Sequence, residues 1–184
     1  LKKHGMMLDK KLEILYAMGY YYLEEEMIDK ATEIFDQVEK FSPKSMDLKI
    51  AKSLTLIHRG YLEAKGGNLD RSINSWKQAL QHNPSSLMAL QNLALAYIIK
   101  TKPQEALDNW NHFYDLLEKK VQRFPDEDSV IELNESRRIL NTLSMVAGDE
   151  KTFSLAVRKE ILIDNIESVN HYYWTLNLEK GASA

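Results

Sequence analysis

The sequence predicts an all-α fold, an α-solenoid of antiparallel helix hairpins with about nine helices. Three observations carry that reading. One grid of residues recurs: Leu15, Met18, Gly19, Tyr22, Ala31, Phe35 and Pro43; then Leu56, Gly60, Trp76, Ala79 and Pro84; then Leu90, Leu93, Ala94, Tyr97, Ala106 and Trp110. Between these landmarks apolar residues return at helical spacing. Pro43, Pro84 and Pro125 interrupt the helical runs, because proline cannot continue the backbone hydrogen-bond ladder.

Residues 1–11 read as an N-terminal tail or a backward extension of the first helix, and residues 12–45 as the first hairpin. Its first helix runs from Leu12 to about Glu25 on Leu12, Leu15, Met18, Tyr22 and Leu23. Its second runs from about Ile28 to Phe41 on Ala31, Ile34, Phe35 and Val38. Residues 46–86 form the second hairpin. The steps from Gly19 to Gly60 and from Pro43 to Pro84 are both 41 residues, whereas Gly60 to Ala94 is 34. Seven added residues, about two turns, therefore fall between Pro43 and Gly60. The first helix of hairpin two, ending near Lys65, is expected to project beyond its neighbours. Gly66 and Gly67 make the next turn and Asn68 caps the helix that follows. In the third hairpin, residues 87–124, Thr101 and Gln104 have capping-box spacing, and the second helix is lengthened to about Arg123. Asp126, Glu127 and Asp128 open another helix, where carboxylates meet the positive end of its dipole. A degenerate fourth hairpin, residues 125–165, is expected as helices over 129–147 and 150–163. Residues 166–184 are expected to supply a capping helix and tail, closing the array with a polar outer face.

The grid resembles the tetratricopeptide repeat (TPR) family: a large residue, Leu-Gly, Tyr, Ala-x3-Phe, then Pro. The resemblance covers residues 12–120 well and the remainder loosely, since Asn141, Ser144 and Phe153 stand where Gly, Tyr and Ala belong. It implies a right-handed superhelix of hairpins. Gly19, Gly60 and Ala94 take the position where the partner helix passes close, Ala31, Ala106, Trp76 and Trp110 the hairpin packing positions, and Pro43 and Pro84 the helix ends. It also implies that the first helices line a concave groove. Hairpin one would contribute Tyr16, Tyr20 and Leu23, and hairpin two Ile57, His58, Tyr61 and Lys65. Hairpin three would contribute Met88, Gln91, Asn92, Leu95 and Ile99. Spacings of i,i+4 put Tyr16 with Tyr20, Ile57 with Tyr61, and Gln91 with Leu95 on shared helix faces. One subclass of the family grips acidic chaperone C-termini with a clamp of lysines, asparagines and an arginine. Those clamp positions fall here on Tyr16, Tyr20, Met88 and Asn92, so no chaperone-tail binding is expected.

Composition bounds the alternatives. The 184 residues are 44% hydrophobic and 28% charged, as in a globular chain or short solenoid. A net charge of -3 with interleaved signs argues against a broad nucleic-acid surface, which needs cations to neutralise phosphates. With no cysteine, disulfides and thiolate zinc sites are excluded; this fits a cytosolic or an exported bacterial protein. Leu1 in place of methionine points to a fragment or processed form. No apolar run nears the roughly 20 residues of a membrane span.

His4, His58, His82, His112 and His171 stand in no metal-ligand frame, and Gly66-Gly67 lacks the Lys-Ser/Thr of a phosphate loop. No nucleophile elbow is present. Neither catalysis nor a cofactor or metal is implied. His58 either packs within a hairpin or hydrogen-bonds a ligand from the groove. Glu24 to Glu26 and the Lys119, Lys120, Arg123 cluster read as solvated faces.

These features lead to a non-enzymatic adaptor that docks an apolar or amphipathic segment of another protein in the groove. In a different reading residues 1–10 or the long helices of hairpins three and four fill the groove. A structural alternative is self-association into a homo-oligomer through the elongated helices of hairpins two to four. RNA binding by the repeat array is the weakest alternative.

Overall fold

The computed structural model describes residues 2–148, 152 and 153. Among them are seven helices and no strand: α1 Lys2–Glu24, α2 Ile28–Phe41, α3 Met46–Lys65, α4 Leu69–His82, α5 Leu87–Ile99, α6 Pro103–Arg123 and α7 Glu127–Val146. Each helix packs against the next in chain order, and α1 also touches α3. This arrangement is consistent with an α-solenoid. Of the helix expected over 150–163 only Thr152 and Phe153 are described; they form a turn and a bend, with Phe153 buried. The rest of that helix and the capping helix lie outside the described residues.

The turns inside the three hairpins are copies of one another. In the first, Met27 N donates to Tyr22 O at 2.8 Å and Glu26 N to Leu23 O at 3.1 Å. Asn68 and Gly67 repeat this on Glu63 and Ala64, both at 2.8 Å, and Lys102 and Thr101 on Tyr97 and Ile98, at 2.8 and 3.2 Å. Such paired bonds close a helix through one left-handed residue. Glu26 (φ 56°), Gly67 (φ 81°) and Thr101 (φ 56°) take that role. Only the middle turn has the glycine that favours it. The capping box expected at Thr101 is thereby corrected: Thr101 terminates α5, and Lys102 caps α6 without a side-chain bond. Gln104 Nε2 instead donates to Asp108 Oδ1 at 2.9 Å.

Between hairpins the chain repeats another turn. Ser45 N donates to Ser42 O at 3.2 Å and Ser86 N to Asn83 O at 3.1 Å. The Ser45 and Ser86 hydroxyls then cap α3 and α5, accepting from Leu48 N and Ala89 N at 3.4 and 3.3 Å. Asn68 and Asp126 cap α4 and α7 in the same way.

Within each hairpin the small residue meets the bulky one. A Cβ placed on Gly19 would stand 2.5 Å from Phe35, and one on Gly60 2.5 Å from the Trp76 indole nitrogen. Neither ring could stay where it is. Trp76 Nε1 donates to Ile57 O of α3 at 3.2 Å, inside its own hairpin. Trp110 differs, since its Nε1 donates forward to Ser136 O of α7 at 3.0 Å. The corresponding position on α5 is Ala94, fully buried.

At 20 residues α3 is seven longer than α5, at 13, but shorter than α1, at 23. The expectation that α3 outreaches both neighbours therefore fails on the α1 side. Helix α1 begins at Lys2, ten residues before Leu12, and Lys11 Nζ sits 4.1 Å above the Phe41 ring of α2. The core is in two parts. Leu15 to Ala51 gather the first hairpin with the start of α3; Ile57 onward gather the rest. Leu54 packs against both parts.

Candidate partner-binding groove

Tyr16 and Tyr20 lie one turn apart on α1 with their rings stacked, centroids 6.4 Å apart at 21°. Phe35 of α2 holds both from behind, its centroid 6.2 Å from Tyr16 and 5.6 Å from Tyr20. Tyr16 Oη meets Ser45 Oγ at 3.4 Å, which ties this row to the start of α3. Burial, then the Tyr16 phenol and the Asp47 carboxylate, push the Tyr20 phenol above its ordinary pKa. Both rings are half-buried, with flanks open to solvent.

The row continues on α3 with Tyr61 and His58, again half-buried. Lys65 Nζ lies 6.0 Å from the Tyr61 ring centroid and 3.7 Å from Glu26 Oε2 of the first hairpin turn. Burial lowers the His58 pKa, against a smaller opposing pull from Glu26. The imidazole is held neutral at physiological pH, able to donate one hydrogen bond and accept another. On α5, Met88 is 51% exposed, while Gln91, Asn92 and Ile99 are half-buried.

Three residues placed in the groove by sequence do not present a surface. Leu23, Ile57 and Leu95 are 3%, 2% and 0% exposed. Leu23 belongs to the first core cluster, and Ile57 and Leu95 to the second. Residues four apart on a helix are offset by about 40°, enough to turn Ile57 inward while Tyr61 stays at the rim. Leu95 is sealed because Leu93, Ala94, Ala96, Tyr97 and Ile98 around it are buried too. A helix apolar on all sides is interior, so α5 offers less open face than α1 or α3.

Some features here were missed. Glu26 joins the groove through Lys65 and His58. On another face, Asp29 and Asp36 of α2 run against Arg59 and Lys52 of α3 as an antiparallel ladder. Arg59 Nη2 lies 3.8 Å from Asp29, and Lys52 Nζ lies 3.2 Å from Asp36 and 2.8 Å from Glu39. Burial lowers the Lys52 pKa, but bonds to Glu39 and Asp36 outweigh it and raise it overall. The ladder was legible as two seven-residue spacings of opposite charge. Thr32, Thr55, Gln78 and His82 border a recess of about 160 Å³ beside it. Among the described residues no three His, Asp or Glu side chains converge as a metal site would need. Among them also no helix is long and apolar enough to cross a membrane.

Repeated hairpin turns, repeated caps and paired small and bulky residues define a protein of helical-hairpin repeats. Over 70 residues this chain is 36% identical to tetratricopeptide repeat protein 36 of Caenorhabditis elegans, a match covering 38% of this chain and 39% of that protein. The similarity points to TPR-like helical repeats. No protein-family model matches the chain.

Proposed function

We propose that the chain is a non-enzymatic protein-interaction module that docks an amphipathic or apolar segment of a partner protein along the first helices. The observation that carries this is the row of partly exposed tyrosines, Tyr16, Tyr20 and Tyr61, extended by His58, Lys65, Met88, Gln91, Asn92 and Ile99. Tyrosine gives large contact area at little rotamer cost and adds a hydroxyl. The Tyr16 and Tyr20 rings are already ordered by Phe35 and by each other, so less freedom is lost there on binding. The partial identity to a tetratricopeptide repeat protein supports the same reading.

The groove residues carry one lysine and no arginine, which suits an apolar ligand rather than an acidic chaperone tail. Fluorescence anisotropy with a panel of labelled amphipathic helical peptides, and one ending in Glu-Glu-Val-Asp, tests this. Binding of amphipathic peptides that Tyr61→Glu with Met88→Glu abolishes, at unchanged helicity, is expected. Binding only of the acidic tail, or binding that survives both substitutions, would contradict the proposal.

A further inference from the structure

Helix α6 overshoots its hairpin. Six residues separate Phe35 from the end of α2 and Trp76 from the end of α4. The same step from Trp110 reaches Leu116, yet α6 runs on for seven more residues to Arg123. At 1.5 Å per residue this overhang is about 10 Å long. Its inner side is anchored, with Leu117 fully buried and Val121 packed against the core. Its outer side carries Leu116, Lys119, Lys120 and Arg123 at i, i+3, i+4 and i+7, one face of the helix. That face stands over Ser85 and Leu87, where the chain turns into α5, and the two border a recess of about 810 Å³. Such a volume falls within the range of ligand pockets, about 300–1,000 Å³. Phe124, 67% exposed, also lines it.

The charge of the recess is one-sided. Among the described residues no carboxylate lines it, and neither Lys119 nor Arg123 is in an ion pair. By contrast Lys52, Lys100 and Arg137 each have a carboxylate partner. Lys120 shares its field with Asp126 and Glu132, which leaves Lys119 and Arg123 as the cations free to meet an anion. Cations in a last turn also complement the helix dipole, but that role calls for neither the recess nor the bare phenyl ring.

We propose that the overhang of α6 is a second docking surface, for a short acidic segment of a partner protein that carries one bulky apolar side chain. The Lys119 ammonium and the Arg123 guanidinium take carboxylates, Arg123 with two parallel bonds. The apolar side chain lies over Leu87 and Leu116 against Phe124. Other polyanions fit less well. A nucleic acid tracks many phosphates along a cationic path, whereas Asp126, Glu127 and Asp128 follow within a few residues of Arg123 and repel a longer one. A membrane receives apolar groups that project into it, whereas Leu87 and Leu116 are half-buried in the recess. This surface shares no residue with the tyrosine row and stands whether or not that row binds a peptide.

An array of peptides of about eight residues, extended at about 3.3 Å per residue and so longer than the overhang, tests it. Each holds Asp and Glu around one Leu, Phe or Trp; matched sets replace the acids by Lys or the apolar residue by Gly. Binding of the full chain to acidic–apolar members alone is expected, weakening from about 0.05 to 0.5 M salt. Lys119→Glu with Arg123→Glu should weaken it about tenfold or more, from two attractions turned into repulsions. Lys40→Glu with Lys44→Glu, the same change of charge at the end of α2, should leave it unchanged. If the first pair loses helicity, Phe124→Ser, at an exposed ring, should show the loss instead. No acidic–apolar binder, equal binding of the glycine set, or binding that survives the substitutions would overturn the proposal. So would retention on phosphatidylserine vesicles or a single-stranded RNA without binding to the array.

Discussion

Replacing Gly60 with alanine adds one methyl group to a place already filled. The new Cβ would stand 2.5, 2.8 and 2.9 Å from Nε1, Cδ1 and Cε2 of Trp76. The indole must retreat by about 1 Å to restore van der Waals contact, yet it is only 1% exposed and bonded to Ile57 O. Overpacking costs about 1–3 kcal/mol, and an orphaned buried N–H adds about 1–3 kcal/mol. Alanine's better helix propensity returns about 1 kcal/mol. The expected net loss is about 1–5 kcal/mol, a fall in melting temperature of about 2–20 °C at this chain length. Thermal and urea melts followed by circular dichroism measure it. Trp76→Leu removes the obstructing ring, so in that background Gly60→Ala should be close to neutral. A cost below about 0.5 kcal/mol, the usual additivity error, or an equal cost in both backgrounds, would refute the close-approach argument.

The three hairpin turns make a converse prediction. Thr101→Gly and Glu26→Gly, each relieving a left-handed residue, should stabilise by about 0.5–1 kcal/mol in the same melts. Trp110→Phe, which removes the indole bond to Ser136 O, should cost about 0.5–1.5 kcal/mol and weaken protection of α7 in hydrogen exchange. For pH, the unfolded His58 binds a proton below about 6.5, whereas the buried imidazole in the folded chain resists it. Stability contributed by keeping His58 neutral is therefore full above that value and declines as pH falls through it. His58→Gln should flatten melting temperature between about pH 7 and 5, relative to the parent chain.

Much of the fold was legible because helical periodicity and stop signals are local. Asn68 caps α4, the run Asp126 to Asp128 opens α7, and α6 ends at Arg123, each readable within a few residues of sequence. What failed depended on neighbours far along the chain. Thr101 has a capping-box spacing, but its backbone belongs to the end of α5. Leu23, Ile57 and Leu95 match the groove register, yet tertiary contacts decide which side of a helix is sealed. For residues 1–11 the sequence left a tail and a backward extension of the first helix both open; the helix begins at Lys2, and the clasp of Lys11 on Phe41 pairs residues 30 apart, beyond the reach of a local window. The direction of Trp110 was likewise hidden, because its acceptor is Ser136 in the next hairpin.

The central claim is that stacked hairpins leave the tyrosine row open while Ile57 and Leu95 are sealed. Thiol labelling of single-cysteine variants tests it most directly, since the chain has no cysteine of its own. Tyr61→Cys, Met88→Cys and Gln91→Cys should react readily in the free protein and be protected by a bound amphipathic peptide, with Ile57→Cys and Leu95→Cys slow throughout. Uniform protection of all five in the free, folded chain would mean a closed bundle and contradict the account.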